Sequence, residues 1–126
     1  MLVHSDAAQS VGKVPVAVDE LGVDLLTVVG HKLYAPKGVG ALYIRHGVAL
    51  APLVFGGGQE RGLRAGTENV ALIVALGVAA TIAAERLPAE QPRLGSLRDR
   101  LHKRLAERLP GALQLNGHPS SGCPTP

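Results

Sequence analysis

One cysteine, one methionine, two tyrosines, one phenylalanine and no tryptophan leave this 126-residue sequence poor in the side chains that most often announce recognition or redox chemistry. The lone Cys123 excludes an internal disulfide framework and a multi-cysteine metal site, and it favours a reducing, cytoplasmic setting. Thirteen Lys and Arg are spread along the chain against ten Asp and Glu, for a net charge of only +3. A nucleic-acid surface needs a basic stripe and stacking rings, so no nucleic-acid partner is expected. The opening "MLVHSDAAQ" shows no basic flank followed by an apolar core, hence no secretory signal. The longest uncharged stretch, Val70 to Ala84, is shorter than the roughly 20 residues needed to cross a bilayer and predicts a buried helix, with no membrane partner. Among the five histidines none has a second ligand at a metal spacing, so no metal is assigned.

What is present is apolar and ordered in short runs. A hydrophobic content of 46% in a chain near the usual size of one domain is enough for a core. Leu2 to His4 is a short apolar start that predicts a strand. "VPVAVDELGVD" (14–24) alternates Val14, Val16 and Val18 and then crosses a helical turn stopped by Gly22. Leu25 to Val29 is a buried strand, and "ALYIR" (41–45) is a third, after a loop marked by Pro36, Gly38 and Gly40. Short strands separated by loops and helical turns predict an α/β layer. "FGGGQERGLRAGTEN" (55–69) is a long glycine-rich loop of the sort that carries function. Thr67, Glu68 and Asn69 suit a helix N-terminus, and the helix that follows is apolar on every face and requires cover all round. A break is expected at Leu87 and Pro88. Leu94, Leu97, Leu101, Leu105 and Leu109 then mark an amphipathic helix ended by Pro110 and Gly111, "ALQL" opens a further strand, and the tail is loop. A strand begun so close to the last residue lacks a partner in the chain, which predicts that the sequence is part of something longer.

The stretch "LTVVGHKLYAPKG" (26–38) raises a chemical question, because it ends a core strand in His31 and Lys32. A strand-end lysine usually snorkels to water. In a partly desolvated pocket its amine instead becomes able to attack a carbonyl and form a Schiff base. Ligands in open α/β sheets collect beyond the carboxyl ends of the strands, and "HSDAAQ" (4–9) places Asp6 at the end of a neighbouring one. Lysine and carboxylate together are what a pyridoxal phosphate site requires: one for the carbonyl, one for the ring nitrogen. Taken alone, Asp6 reads as a helix cap and Gln9 as a surface residue.

"HSDAAQSVGK", "VVGHKLYAPKGVGALYIR" and "GGGQERGLRAGTENV", in this order, resemble the cysteine desulfurase and selenocysteine lyase family, class V aminotransferase-like pyridoxal phosphate enzymes of fold type I. The resemblance covers essentially residues 2 to 126, and the third block is its most specific part. It implies that Lys32 is the catalytic residue, linking covalently to pyridoxal 5'-phosphate and moving the substrate Cα proton. It further implies that Asp6 pairs with the pyridine nitrogen, Gln9 hydrogen-bonds the ring's phenolic oxygen, and His31 sits near the cofactor phosphate. Thr67 would reach across a homodimer interface to the phosphate in the neighbouring subunit, presented by a loop that includes glycines 56 to 58, Arg61 and Arg64. Many desulfurases have a serine three residues before the lysine; here it is Val29, which cannot donate a hydrogen bond. Selenocysteine lyase-like members tolerate an apolar residue there.

The same resemblance implies a domain division: residues 1–86 as the carboxyl-terminal part of the cofactor-binding large domain, and 87–126 as a linking helix and the incomplete start of a small α+β domain. The family's phosphate loop, ring-stacking histidine, sulfur-accepting cysteine and carboxylate-gripping arginine have no counterpart in this sequence. Cys123 reads as a loop thiol, His4 as packed near its strand end, His46 and His118 as loop residues, and His102 as lying on the polar side of its helix. The expected activity is removal of sulfur or selenium from cysteine or selenocysteine to leave alanine, with a sulfur- or selenium-acceptor protein as partner. The alternative is a non-catalytic fragment or pseudoenzyme serving at most as a cofactor-binding or dimerisation module.

Overall fold

The computed structural model describes residues 1–118, so Cys123 and the rest of the tail lie outside the described residues. Its elements follow the order strand β1 (His4–Asp6), helix α1 (Val18–Leu21), strand β2 (Leu25–Val29), a 3-10 turn (Gly30–Lys32), strand β3 (Gly40–Ile44), a second 3-10 turn (Glu60–Gly62) and helix α2 (Val70–Arg108). The three strands form one sheet in the order β1-β2-β3, with β1 parallel and β3 antiparallel to β2. The first strand begins at His4, where the apolar pattern had suggested Leu2, so Asp6 belongs to the strand and not to the turn after it. Backbone pairing explains the shift: Val3 exchanges bonds with Asp24 and Leu25 just before the ladder starts.

Side chains alternate across a strand, and the register sorts them. Ala7, Val23 and Leu26 form the buried centre, with Val11, Val16, Val18, Val28 and Tyr43 packed against it. The opposite face carries Asp6, Thr27 and Leu42 in one row across the three strands, with His4 beside them. Asp6 and His4 on that face are exposed, as is Leu42 at 49%.

Gly22, in the left-handed conformation, ends α1 as its position predicts. Arg45 fastens this end of the sheet. Its guanidinium donates to the carbonyls of Val18 and Val23 and to Asp19 Oδ1 at 2.8 Å, and its pKa is raised, foremost by the Asp19 hydrogen bond and further by the nearby charges of Asp19 and Asp24.

Helix α2 corrects the expected break. It runs unbroken for 39 residues through Pro88 and Pro92. Each proline withdraws one donor, freeing the carbonyls of Ala84 and Pro88, and both residues are exposed so that water can satisfy them. Asn69 caps the helix by accepting from the Leu72 amide at 3.2 Å. The expected boundary between residues 86 and 87 therefore falls inside one helix. Its apolar half is not covered: Val70 is 66% exposed, Val74 59% and Val78 54%. Once the helix continues past Glu85 it is long and apolar enough, by length and composition alone, to cross a membrane. No strand forms at "ALQL" among the described residues.

Candidate active site

The parallel pairing of β1 with β2 decides where the chemistry-bearing side chains lie. Asp6 stands opposite Thr27, so the carboxyl end of β1 is level with the last residues of β2, and the chain passes straight from Val29 into Gly30, His31 and Lys32. Asp6 and Lys32 thus leave the sheet at the same end.

Two glycines hold these segments in place. A Cβ on Gly30 would lie 2.7 Å from the Val39 carbonyl oxygen, so only glycine fits where the loop closes on itself. The Gly30 amide donates to that same oxygen, while its own carbonyl accepts from Leu33 and Ala35. Gly12, with φ of +77°, brings the turn after Asp6 against the lysine loop, since a Cβ there would sit 2.4 Å from Leu33 Cδ2. Tyr34 completes the loop in the left-handed region, φ +63°, a strained backbone for a residue with a Cβ.

Asp6 Oδ1 accepts the Ala8 amide at 2.9 Å, and Oδ2 has no partner among the described residues. Gln9 lies on the turn with its Oε1 taken by Lys13 Nζ at 2.6 Å, which leaves its amide NH2 to donate elsewhere. His31 and Lys32 are exposed. Lys32 lines a groove of about 930 Å³ between its own loop and α2, together with Lys13, Tyr34, Val78, Arg86 and Arg93; Asp6, Gln9, His31 and Thr67 are not part of that lining.

Thr67 is exposed two residues before the Asn69 cap, at the end of the glycine-rich loop. That loop is tied within itself. Gln59 Oε1 accepts the Gly66 amide at 3.1 Å, Arg64 donates to the Gly66 carbonyl at 2.6 Å and pairs with Glu60, and Glu60, Arg61 and Gly62 are successively left-handed. Val54 and Arg64 form a bridge across its base. The structure therefore gathers Asp6, Gln9, His31 and Lys32 around one sheet end and sets Thr67 apart on a preformed loop.

The donor set fits pyridoxal phosphate: an unpaired carboxylate oxygen, an amide donor, an exposed imidazole and an exposed primary amine stand at one end of a parallel strand pair. Comparison with known proteins agrees. The model of the class-V aminotransferase family matches residues 1–121. The chain belongs to that family. A cysteine desulfurase of Gluconacetobacter diazotrophicus is 54% identical over 111 residues, covering 88% of this chain and 28% of the relative. The cysteine desulfurase IscS of Dictyoglomus turgidum is 50% identical over 121 residues, covering 96% of this chain and 30% of its own length. Among solved structures, DndA from Streptomyces lividans superposes with a TM-score of 0.85 at 41% identity over 98% of this chain and 36% of that one. A NifS-like protein gives 0.81 at 47% identity, over 85% and 29% respectively. The chain thus spans less than a third of the length of these curated relatives, and its mixed α/β architecture is a portion of the fold-type-I class-V fold. Class-V aminotransferases and cysteine desulfurases are pyridoxal phosphate-dependent.

Three features of this class-V site escape the motif pattern: Gly12 as the contact between its two halves, Arg45 as the clasp at the far end of the sheet, and a hydrogen bond between His4 Nε2 and Thr27 Oγ1 at 2.9 Å. A signal for the last existed, since Thr27 is the single hydroxyl in "LLTVV" and His4 precedes Asp6 by two residues, on the same strand face.

Proposed function

We propose that this chain is the central segment of a pyridoxal phosphate enzyme that removes sulfur, or selenium, from cysteine or selenocysteine and leaves alanine. The observation that carries the reading is the parallel β1–β2 register, which delivers Asp6 and Lys32 to one sheet end in a class-V fold. Pyridoxal phosphate, when bound, supplies a carbonyl for an amine to capture and a protonated ring that takes up the electron pair left on the substrate Cα. Asp6, fixed by the Ala8 amide through one oxygen, offers the other to hold the proton on the ring nitrogen. Gln9 donates from its amide to the ring's phenolic oxygen. Lys32 holds the group covalently and then shuttles the Cα proton, while His31 and a partner subunit's copy of the threonine at 67 bind the phosphate. Val29 withholds a hydroxyl from that phosphate and leaves more of the binding to His31 and backbone amides.

This reading also assigns residues 1–86 to the large domain and 87–126 to the linking helix and the start of the small domain, in a cytoplasmic homodimer that passes sulfur or selenium to an acceptor protein. The exposed apolar half of α2 is then a core helix whose cover comes from the rest of the protein, and not a membrane span. The second reading, a non-catalytic cofactor-binding or dimerisation module, is favoured by one observation: the 39 residues of α2 contain no buried residue.

The test uses the full-length protein that contains this segment. Purified with pyridoxal phosphate, it should show the visible band of a lysine-bound cofactor and release alanine from cysteine or selenocysteine. Lys32→Ala should abolish the band and lower turnover by at least roughly 10²- to 10⁴-fold. A band that survives in Lys32→Ala refutes the assignment. Relative alanine release from the two amino acids decides between sulfur and selenium.

A further inference from the structure

The open face of the sheet carries two polar side chains beside Asp6, those of His4 and Thr27, that the proposed mechanism does not use. Thr27 lies directly across from Asp6, and its hydroxyl is 2.9 Å from Nε2 of His4, which shares the Asp6 side of β1. Among the described residues this is the one side-chain to side-chain hydrogen bond joining the two strands.

A threonine hydroxyl has a single proton to donate, and a neighbouring carboxylate is a stronger acceptor for it than a neutral oxygen. Asp6 has one oxygen committed to the Ala8 amide and the other without a partner. If the Thr27 hydroxyl turned to donate to that second oxygen, it would take one of its two lone pairs, lower its basicity and compete with a ring N–H for it.

We propose that His4 is a positioning residue for Asp6: by accepting the Thr27 proton at Nε2, with its own proton on Nδ1, it keeps the Thr27 hydroxyl off the carboxylate and leaves Asp6 Oδ2 free for the pyridinium N–H. The proposal rests on the cofactor reading above and adds to it a role for His4 and Thr27. It differs from a simple strand tie in one consequence. Loss of His4 is harmful because the hydroxyl is left behind, so removing the hydroxyl as well should repair the damage.

The experiment measures pyridoxal phosphate affinity and the position of the visible band in the full-length protein and in His4→Phe, Thr27→Val and the double variant. His4→Phe should bind the cofactor roughly 3- to 10-fold more weakly, the effect of one misplaced hydrogen bond, with a displaced band. Thr27→Val should stay near the parent, and the double variant should return towards it in both readouts. His4→Leu serves in the same way if the phenylalanine variant is insoluble. An unchanged affinity and band in both His4 variants overturns the proposal. So does a double variant no better than His4→Phe, which reduces the pair to a strand tie and is recognised by a lower melting temperature with an unmoved band. Absence of a band in the unaltered protein overturns the cofactor reading and this proposal together, whereas a band in the parent without the rescue overturns only the latter.

Discussion

The strand half of the molecule and its long helix solve opposite problems. In residues 1–45 the strands are only three to five residues long, yet the segment ties itself together: Arg45 clasps α1, Val3 pairs with Asp24, and Gly30 closes the lysine loop. All five buried hydrophobic side chains among the described residues, Ala7, Val23, Leu26, Leu33 and Ala35, lie there. Helix α2 is several times longer and buries none. Its hydrogen bonds run along its own axis and its apolar faces meet little among the described residues. The four residues proposed to surround the cofactor sit in the half with the buried core, while Thr67 sits just before the helix that buries nothing among the described residues. Local hydrogen bonding can therefore be satisfied where little apolar surface is buried.

The largest expected effect breaks the comparison outright. The 126-residue chain expressed alone should aggregate, lack a sharp thermal transition and fail to bind pyridoxal phosphate, because the sheet edges of β1 and β3 and the apolar face of α2 are all open. Circular dichroism melts and size-exclusion chromatography check this. A cooperative transition with alanine release from this chain would show that the strand half needs less than we infer. Next in size, Gly30→Ala in the full-length protein drives a methyl group into the Val39 carbonyl and should cost about 1–3 kcal/mol. Denaturant unfolding gives the number, and a weakened visible band would show that the lysine loop has moved with it.

Arg45→Met probes the strand half away from the site. It should lower the melting temperature and leave the visible band in place. Because the partners of Arg45 raise its folded pKa above the ordinary guanidinium value, its contribution is complete below that ordinary value and fades only as pH climbs through the folded one. Across the working range the loss in Arg45→Met should thus be independent of pH. The smallest effect belongs to α2. Glu90 pairs with Arg93, chiefly through a hydrogen bond that lowers its pKa from 4.5. A lowered carboxyl stabilises above its ordinary pKa and loses that contribution as pH falls through the folded value. Glu90→Gln should accordingly flatten a slight loss of stability on acidification below about pH 4.5, read as the denaturation midpoint at pH 7 and pH 4, and should change little at neutral pH.

The strands at 25–29 and 40–44, the αL stop at Gly22 and the cap at Asn69 were legible in the sequence, because each follows from residues adjacent to it. That Asp6 and Lys32 end neighbouring strands was legible from the rule that open α/β sheets gather ligands beyond the carboxyl ends of their strands, but the packing that brings their loops together was not. Its physical cause, Gly12 against Leu33, joins residues 21 apart and leaves no periodic trace. The break expected at Pro88 failed for an informative reason. A proline ends a helix when the carbonyl it frees has nowhere to turn, and Ala84 faces solvent. The buried helix expected over Val70–Ala84 is not what the described residues show: the helix forms, but they leave its apolar side open, because an apolar pattern states a need for cover and does not supply the partner.

The glycine-rich loop that ends in Thr67 carries a last consequence. Its curvature is set by contacts among its own residues: Gln59 to Gly66, Arg64 to Gly66, and the three left-handed residues from 60 to 62. Such a segment behaves as a rigid hook and not as a tether. Whatever surface receives it meets an object whose shape is already chosen, so the loss of chain freedom falls on folding and not on association. A hook of this kind tolerates little change in length. One residue inserted between Gly58 and Arg64 would alter where its tip arrives without altering a single residue at the tip.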